Sequence, residues 1–169
     1  HRLDALKPRL ARSGLSNVHP AALAHERDDR VKRLAGKMDR VLVDAPCSGL
    51  GTLRRNPDLK WRQSPQALEE LVAKQTAILE SAARLPKSGG RLVYATCSML
   101  PQENEAIAEA FTQAHRDFEP LDAGELLAQL KVPEAASLCS GGESGSRFVR
   151  LWPHRHQTDG FFAAVWQRK

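Results

Sequence analysis

Apolar positions along the 169-residue chain follow two rhythms, and each predicts a kind of element. Leu3, Leu6 and Leu10 fall on one face of a helical period that Ser13-Gly14 stops, with Pro8 predicting a kink or a late start. A short apolar run, Ala21–Ala24, is followed by the polar Glu26-Arg27-Asp28-Asp29. Val41-Leu42-Val43 reads as a strand buried on both faces in a parallel sheet. Ser64-Pro65 joins a cap to a first-turn proline, and Leu68, Leu71, Val72, Ile78 and Leu79 carry the 3.6-residue period towards Leu85. Ser88-Gly89-Gly90 predicts a turn into a second buried strand, Arg91–Thr96, and Pro101 to Ala114 reads as a further helix. Residues 120–146 are weakly patterned and predict loop with one short helix. Arg147–Trp152 and Phe161–Trp166 then read as an antiparallel hairpin turning at Asp159-Gly160, with Trp152 and Trp166 in the core. Strand–helix–strand alternation followed by a hairpin predicts one α/β domain with a doubly wound sheet.

Composition removes several classes. Apolar residues make up 41% and charged residues 27%, an ordinary globular balance, and no apolar run reaches the ~20 residues of a membrane helix. Three cysteines are too few for a disulfide framework, so a reducing cytoplasm is expected. Residues 1–60 hold 13 Lys/Arg against 7 Asp/Glu, and residues 61–169 hold 12 against 13, so the net charge of +5 lies in the first third. That asymmetry fits a polyanionic partner, and it fits a solvated basic helix face about as well.

Two cysteines stand out by position. Cys47 follows strand Val41–Asp44 in Asp44-Ala45-Pro46-Cys47-Ser48-Gly49, and Cys97 ends the next strand in Ala95-Thr96-Cys97-Ser98. One intervening helix makes the strands parallel neighbours through a right-handed crossover, which brings both thiols to the carboxyl edge where open α/β sheets keep their sites. The helix after Cys97 is expected to favour its thiolate. Two small buried hydrophobes are the alternative reading of the same positions. Asp44 points to the same edge, either capping a turn or holding the ring of a base. Gly49-Leu50-Gly51 is a weak nucleotide motif, better read as flexible backbone near Cys47. Arg54, Arg55 and Lys60 beside Trp61 suit phosphate contacts with one stacking ring, or equally a solvated loop over a packed Trp. His19, His25, His115, His154 and His156 show no metal-ligand spacing, and Cys139 has no partner in sequence.

At these residues the chain resembles the Sun-type (RsmB-like, or Fmu) RNA cytosine-5 methyltransferases. The resemblance rests on Asp44–Gly49, on Arg54-Arg55-Asn56-Pro57-Asp58-Leu59-Lys60-Trp61, on Tyr94–Ser98, on Gln102-Glu103-Asn104-Glu105 and on Thr158-Asp159-Gly160-Phe161-Phe162. It implies a Rossmann-like sheet with S-adenosylmethionine (SAM) as cofactor. Cys97 matches the family nucleophile, which adds to carbon 6 of a cytosine. Cys47 matches the cysteine that assists release, and Asp44 the acid that holds the base near the cofactor, with Pro46 beside it. The implied substrate is RNA, ribosomal RNA of the small subunit first and transfer RNA second. The rival function is a non-catalytic RNA-binding domain, which has no need of two thiols at adjacent strand ends.

The family's glycine-rich SAM loop and ribose-binding acid lie upstream of what matches residues 2–13. Residues 1–169 are therefore expected to be the C-terminal part of one catalytic domain, lacking its first strands and inactive alone. Glu26 and Asp28 are the two candidates for a remaining adenosine contact. An unpaired edge is expected beside Val41–Val43, with Ala21–Ala24 left orphaned, which predicts dimerisation through that edge.

Overall fold

A computed structural model describes residues 2–141 and 146–169. The first segment is α1 (Arg2–Ser13), which runs unbroken over Pro8 and ends at Gly14, where φ is +68°. Its Leu3, Leu6 and Leu10 are only half-buried, and Ala21–Ala24 forms no strand and stays exposed. A single turn, α2 (Asp29–Lys32), leads to strand β1 (Met38–Asp44). The short α3 (Leu59–Arg62) precedes the long α4 (Pro65–Ala82), which starts as the sequence dictates, Ser64 Oγ accepting from the Ala67 amide at 3.1 Å.

Strand β2 (Pro86–Thr96) pairs parallel with β1, with Asp44 opposite Ala95. The predicted turn at Ser88-Gly89-Gly90 is instead an irregularity inside this strand: the partner of Met38 is Pro86, but that of Arg40 is Arg91. Gly89 has φ +75°, which lets the extra residues fold out without breaking the ladder. The helix predicted from Pro101 is split into a 3-10 turn, Pro101–Glu103, and α5 (Glu105–Ala114). The split falls at Asn104, whose side chain bonds Thr96 Oγ1 at 2.5 Å and the Ser98 carbonyl at 3.0 Å instead of solvent.

The remaining elements are β3 (Phe118–Leu121), α6 (Ala123–Gln129), β4 (Cys139–Ser140), β5 (Phe148–Leu151), α7 (Pro153–His156) and β6 (Phe161–Arg168). The sheet order is β1-β2-β6-β5-β4, with β3 also on β6. Among the described residues only β1–β2 is parallel, so the sheet is mixed and mostly antiparallel. The predicted β5–β6 pair is antiparallel, but α7 interrupts the connection and Asp159-Gly160 is not a hairpin turn.

Helices α4 and α5 cover one face of the sheet, and Leu79, Leu92, Tyr94, Phe111, Phe162 and Trp166 pack there. Phe111 meets Trp166 edge-on at 4.8 Å, and the Trp166 indole donates to Thr112 Oγ1 at 2.9 Å. Trp152 lies outside this core, half-buried beneath the Arg150 guanidinium at 4.4 Å. The opposite face is less covered. Leu42 on β1 is 69% exposed, so this strand is buried on one face only. Side chains alternate in facing along a strand, so Leu42, Asp44 and Ala95 share that open face, and Cys97 continues it.

Candidate active site

Parallel pairing of β1 and β2 carries two chain segments over the same edge, and each brings a cysteine. The Cys47 and Cys97 sulfurs lie 3.4 Å apart, in hydrogen-bonding contact as free thiols. Their environments drive them apart in acidity. The Cys97 thiol is lowered to about 7, first because Cys47 donates to its sulfur, with burial and the charges of Asp44 and Glu103 opposing. Cys47 is pushed far up by that same bond and by burial, so it keeps its proton. Near neutral pH about half of Cys97 is thiolate, while Cys47 stays a thiol. The Cys47 bond leads this effect; the helix that the sequence placed just after Cys97 begins only at Glu105, beyond the 3-10 turn Pro101–Glu103.

Below the thiols is a buried polar cluster. The Glu103 carboxylate is fully buried and accepts from four donors. Oε1 takes the Ser48 amide at 2.8 Å and Gln75 Nε2 at 2.9 Å, while Oε2 takes Ser48 Oγ at 2.5 Å and Ser98 Oγ. Gln75 Nε2 also donates to the Pro46 carbonyl at 2.9 Å, and the Tyr94 hydroxyl donates to the Glu103 carbonyl at 2.7 Å. Sequence reading quoted Glu103 within a motif but gave it no role. Its four donors come from three residues, Ser48, Gln75 and Ser98, in three separate segments, so no spacing rule could have gathered them.

A second clasp closes over the loop after Cys47. The Gly51 amide donates to the Cys97 carbonyl at 2.8 Å, and the Gly160 amide to the Gly51 carbonyl at 2.8 Å. A Cβ on Gly51 would stand 2.6 Å from the Cys97 carbonyl oxygen, so only glycine fits. Beside it Arg55 forms an ion pair with the buried Asp159.

A family model described as 16S rRNA methyltransferase RsmB/F matches residues 1–167. The chain belongs to that family. It is 48% identical over 128 residues to ribosomal RNA small subunit methyltransferase B of Escherichia coli O1:K1, a match covering 76% of this chain and 26% of the relative. With ribosomal RNA small subunit methyltransferase F of Aeromonas salmonicida it shares 35% identity over 165 residues, covering 96% of this chain and 32% of the relative. The chain thus spans about a quarter to a third of the length of these relatives. Among solved structures it superposes on PH0851 with a TM-score of 0.83 at 36% identity, covering 99% of this chain and 34% of that one. NSun6 from Pyrococcus horikoshii, crystallised with SFG, gives a TM-score of 0.74 at 26% identity, covering 99% and 38%.

Within this member of the RsmB/F family, Cys47, Cys97 and Asp44 converge on one edge of the sheet. Asp44 and Pro46 are exposed, and among the described residues no hydrogen bond or ion pair engages the Asp44 carboxylate. Glu26 and Asp28 lie elsewhere. The Glu26 carbonyl accepts from Ser81 Oγ, six residues (about 9 Å) along α4 from Gln75 and towards the amino end of the strands. Both Asp28 oxygens are taken, by the Arg30 side chain at 3.0 and 2.8 Å and by the Arg30 and Ala24 amides, which holds this carboxyl well below the usual range. An aspartate so occupied offers little to a ribose. Arg54 reaches the Gln157 carbonyl at 3.4 Å, and Lys60 sits 4.7 Å over the ring of Trp61. Trp61 is 81% exposed, so the packed-Trp alternative does not hold. Cys139 is half-buried on β4, and its thiol is raised by burial. Among the described residues no group of His, Cys, Asp and Glu could hold a metal ion, and no helix is long and apolar enough to cross a membrane.

Proposed function

We propose that this chain carries the thiol half of a centre that methylates carbon 5 of a cytosine in ribosomal RNA, with SAM as the methyl source. The contact of a Cys97 thiolate with a Cys47 thiol at 3.4 Å carries this reading. Carbon 5 of cytosine is a poor nucleophile. Addition of Cys97 Sγ to carbon 6 forms an S–C6 bond and moves the C5–C6 π pair to carbon 5, splitting one hard substitution into two easier ones. SAM, when bound, supplies an electrophilic methyl group. Loss of the carbon 5 proton then restores the double bond and expels the Cys97 thiolate.

Cys47 suits the proton-accepting part of that release. Once Cys97 is tied up as a thioether it no longer accepts the Cys47 hydrogen bond, and the largest influence holding Cys47 protonated is gone. The two thiols thus act in turn. Asp44, exposed and unengaged on the face shared with Cys97, suits the base edge and the methionine end of the cofactor, with Pro46 as its apolar neighbour. The NSun6 relative was solved with SFG, a SAM analogue, which supports the same cofactor here. Glu26 and Asp28 remain the two candidates for the adenosine end, with both Asp28 oxygens already engaged by Arg30 and the Ala24 amide. Arg54, Arg55 and Lys60, with the Trp61 ring, form the RNA-facing surface of the proposal, with the target base leaving its stack to reach the thiols.

The test uses an RNA oligonucleotide of small-subunit ribosomal sequence containing 5-azacytosine, whose ring nitrogen makes carbon 6 electrophilic enough to accept a thiol without methyl transfer. A covalent adduct mapping to Cys97, absent in Cys97→Ser, is expected. An adduct that persists in Cys97→Ser overturns the assignment.

A further inference from the structure

We propose that Glu103 is a positioning residue that sets the contact between the two thiols by stapling both cysteine-bearing segments to one carboxylate. The inference rests on the proposed roles of Cys97 and Cys47 and deepens them. Each cysteine is followed by a serine, and both serines end on the same side chain: Ser48 through its amide and hydroxyl, Ser98 through its hydroxyl. The hydroxyls also lie 3.1 Å from each other, so the segments after β1 and β2 are held at matching points one residue beyond each sulfur. Gln75 extends the staple from α4, joining Glu103 to the Pro46 carbonyl just before Cys47. A fully buried carboxylate is costly unless its lone pairs are filled, and here four donors fill them. Apart from each other the sulfurs are tied to backbone amides, Cys47 to those of Gly49 and Cys97, and Cys97 to its own. Their 3.4 Å contact, and with it the donation that keeps Cys97 a thiolate, depends on where these backbones are held.

Removing Glu103 acts on Cys97 in two opposed ways. Loss of its negative charge makes the thiolate easier to form, and loss of the Cys47 alignment makes it harder. The charge is the smallest of the influences on Cys97 and the Cys47 bond the largest, so misalignment wins. Glu103→Gln removes only the charge. Its amide oxygen can still accept from the Ser48 amide and Gln75, and its amide nitrogen can donate to the two serine hydroxyls, so the staple persists.

The test is the rate of Cys97 alkylation by iodoacetamide at pH 7 in the whole chain, read by peptide mass spectrometry. With Cys97 near 7, about half is thiolate. At an ordinary thiol value of ~8.5 only ~3% is, so Glu103→Ala should slow alkylation roughly tenfold. Glu103→Gln should stay within about threefold of wild type. Phe118→Ala, a core truncation at the far end of β6, should lower the unfolding midpoint without slowing alkylation. If Glu103→Ala does not fold, Ser98→Ala removes one of the two hydroxyls on Oε2 and should slow alkylation by a smaller factor. Wild-type rates in Glu103→Ala, or in Ser98→Ala should that variant be the one measured, overturn the proposal, as does an equal slowing in Phe118→Ala. Alkylation needs neither RNA nor cofactor, so failure here is distinct from failure of the RNA adduct.

Discussion

An indole as exposed as Trp61, with a lysine ammonium over its ring, contributes almost nothing to the core and offers a flat surface to whatever approaches the loop. Trp61→Ala is therefore expected to change folding stability by no more than about 0.5 kcal/mol, as for other surface substitutions. It should weaken RNA binding by roughly 1–3 kcal/mol if the ring stacks on a base. Urea unfolding and a filter-binding titration check the two halves. An unchanged RNA affinity would remove Trp61 from the interface. Arg55 is a different case, because its ion pair with buried Asp159 gives it structural work that its place in a basic run concealed. At this scale the sequence exposed the residues whose chemistry is tied to a strand end. Asp44, Cys47 and Cys97 each close or follow an apolar strand, so topology alone brought them together. Glu103 and Gln75 were illegible, because a buried polar group is recognised by its partners, and theirs come from distant parts of the chain.

Elements were read best where the signal is local. The start of α4 at Ser64-Pro65 and the strands around Val41–Val43 and Leu92–Thr96 needed only a cap and apolar runs. Pairing was harder. Strand β3 was missed because Glu119-Pro120 looks like loop, and only the β6 edge makes it a strand. Asp159-Gly160 has hairpin composition, yet Gly160 is used to approach Gly51, and α7 makes the connection. That contact predicts the consequence of filling it. Gly51→Ala would drive a Cβ into the backbone of Cys97 and Gly160, which cannot move aside as a flexible side chain could. A loss of about 3 kcal/mol is expected, measured by urea unfolding, together with displacement of the loop over the thiols. A fully stable Gly51→Ala variant would mean that the clasp yields easily.

Across the whole molecule, apolar exposure is concentrated in the first quarter of the chain. Leu15, Val18, Leu23, Leu34 and Leu42 are all exposed, and among the described residues β1 pairs on one side only, with β2. An open strand edge beside exposed leucines favours pairing with another chain. Sedimentation is expected to show self-association rising with concentration, and Leu42→Lys should suppress it; a monomer at every concentration would contradict this. The basic first third and the exposed Lys60–Trp61 pair lie in the same stretch of sequence as the Cys47 loop, which fits a polyanionic substrate brought to the thiols. The central claim concerns those thiols, and their separate titration tests it most directly. Initial-rate alkylation across pH 5–10, read in molecules modified at one cysteine only, should show Cys97 gaining reactivity through a midpoint near 7 while Cys47 stays unreactive over the range. In Cys47→Ala the donor is gone, and the Cys97 midpoint should rise towards ~8.5. Two cysteines titrating together at an ordinary thiol value, indifferent to Cys47→Ala, would contradict the account.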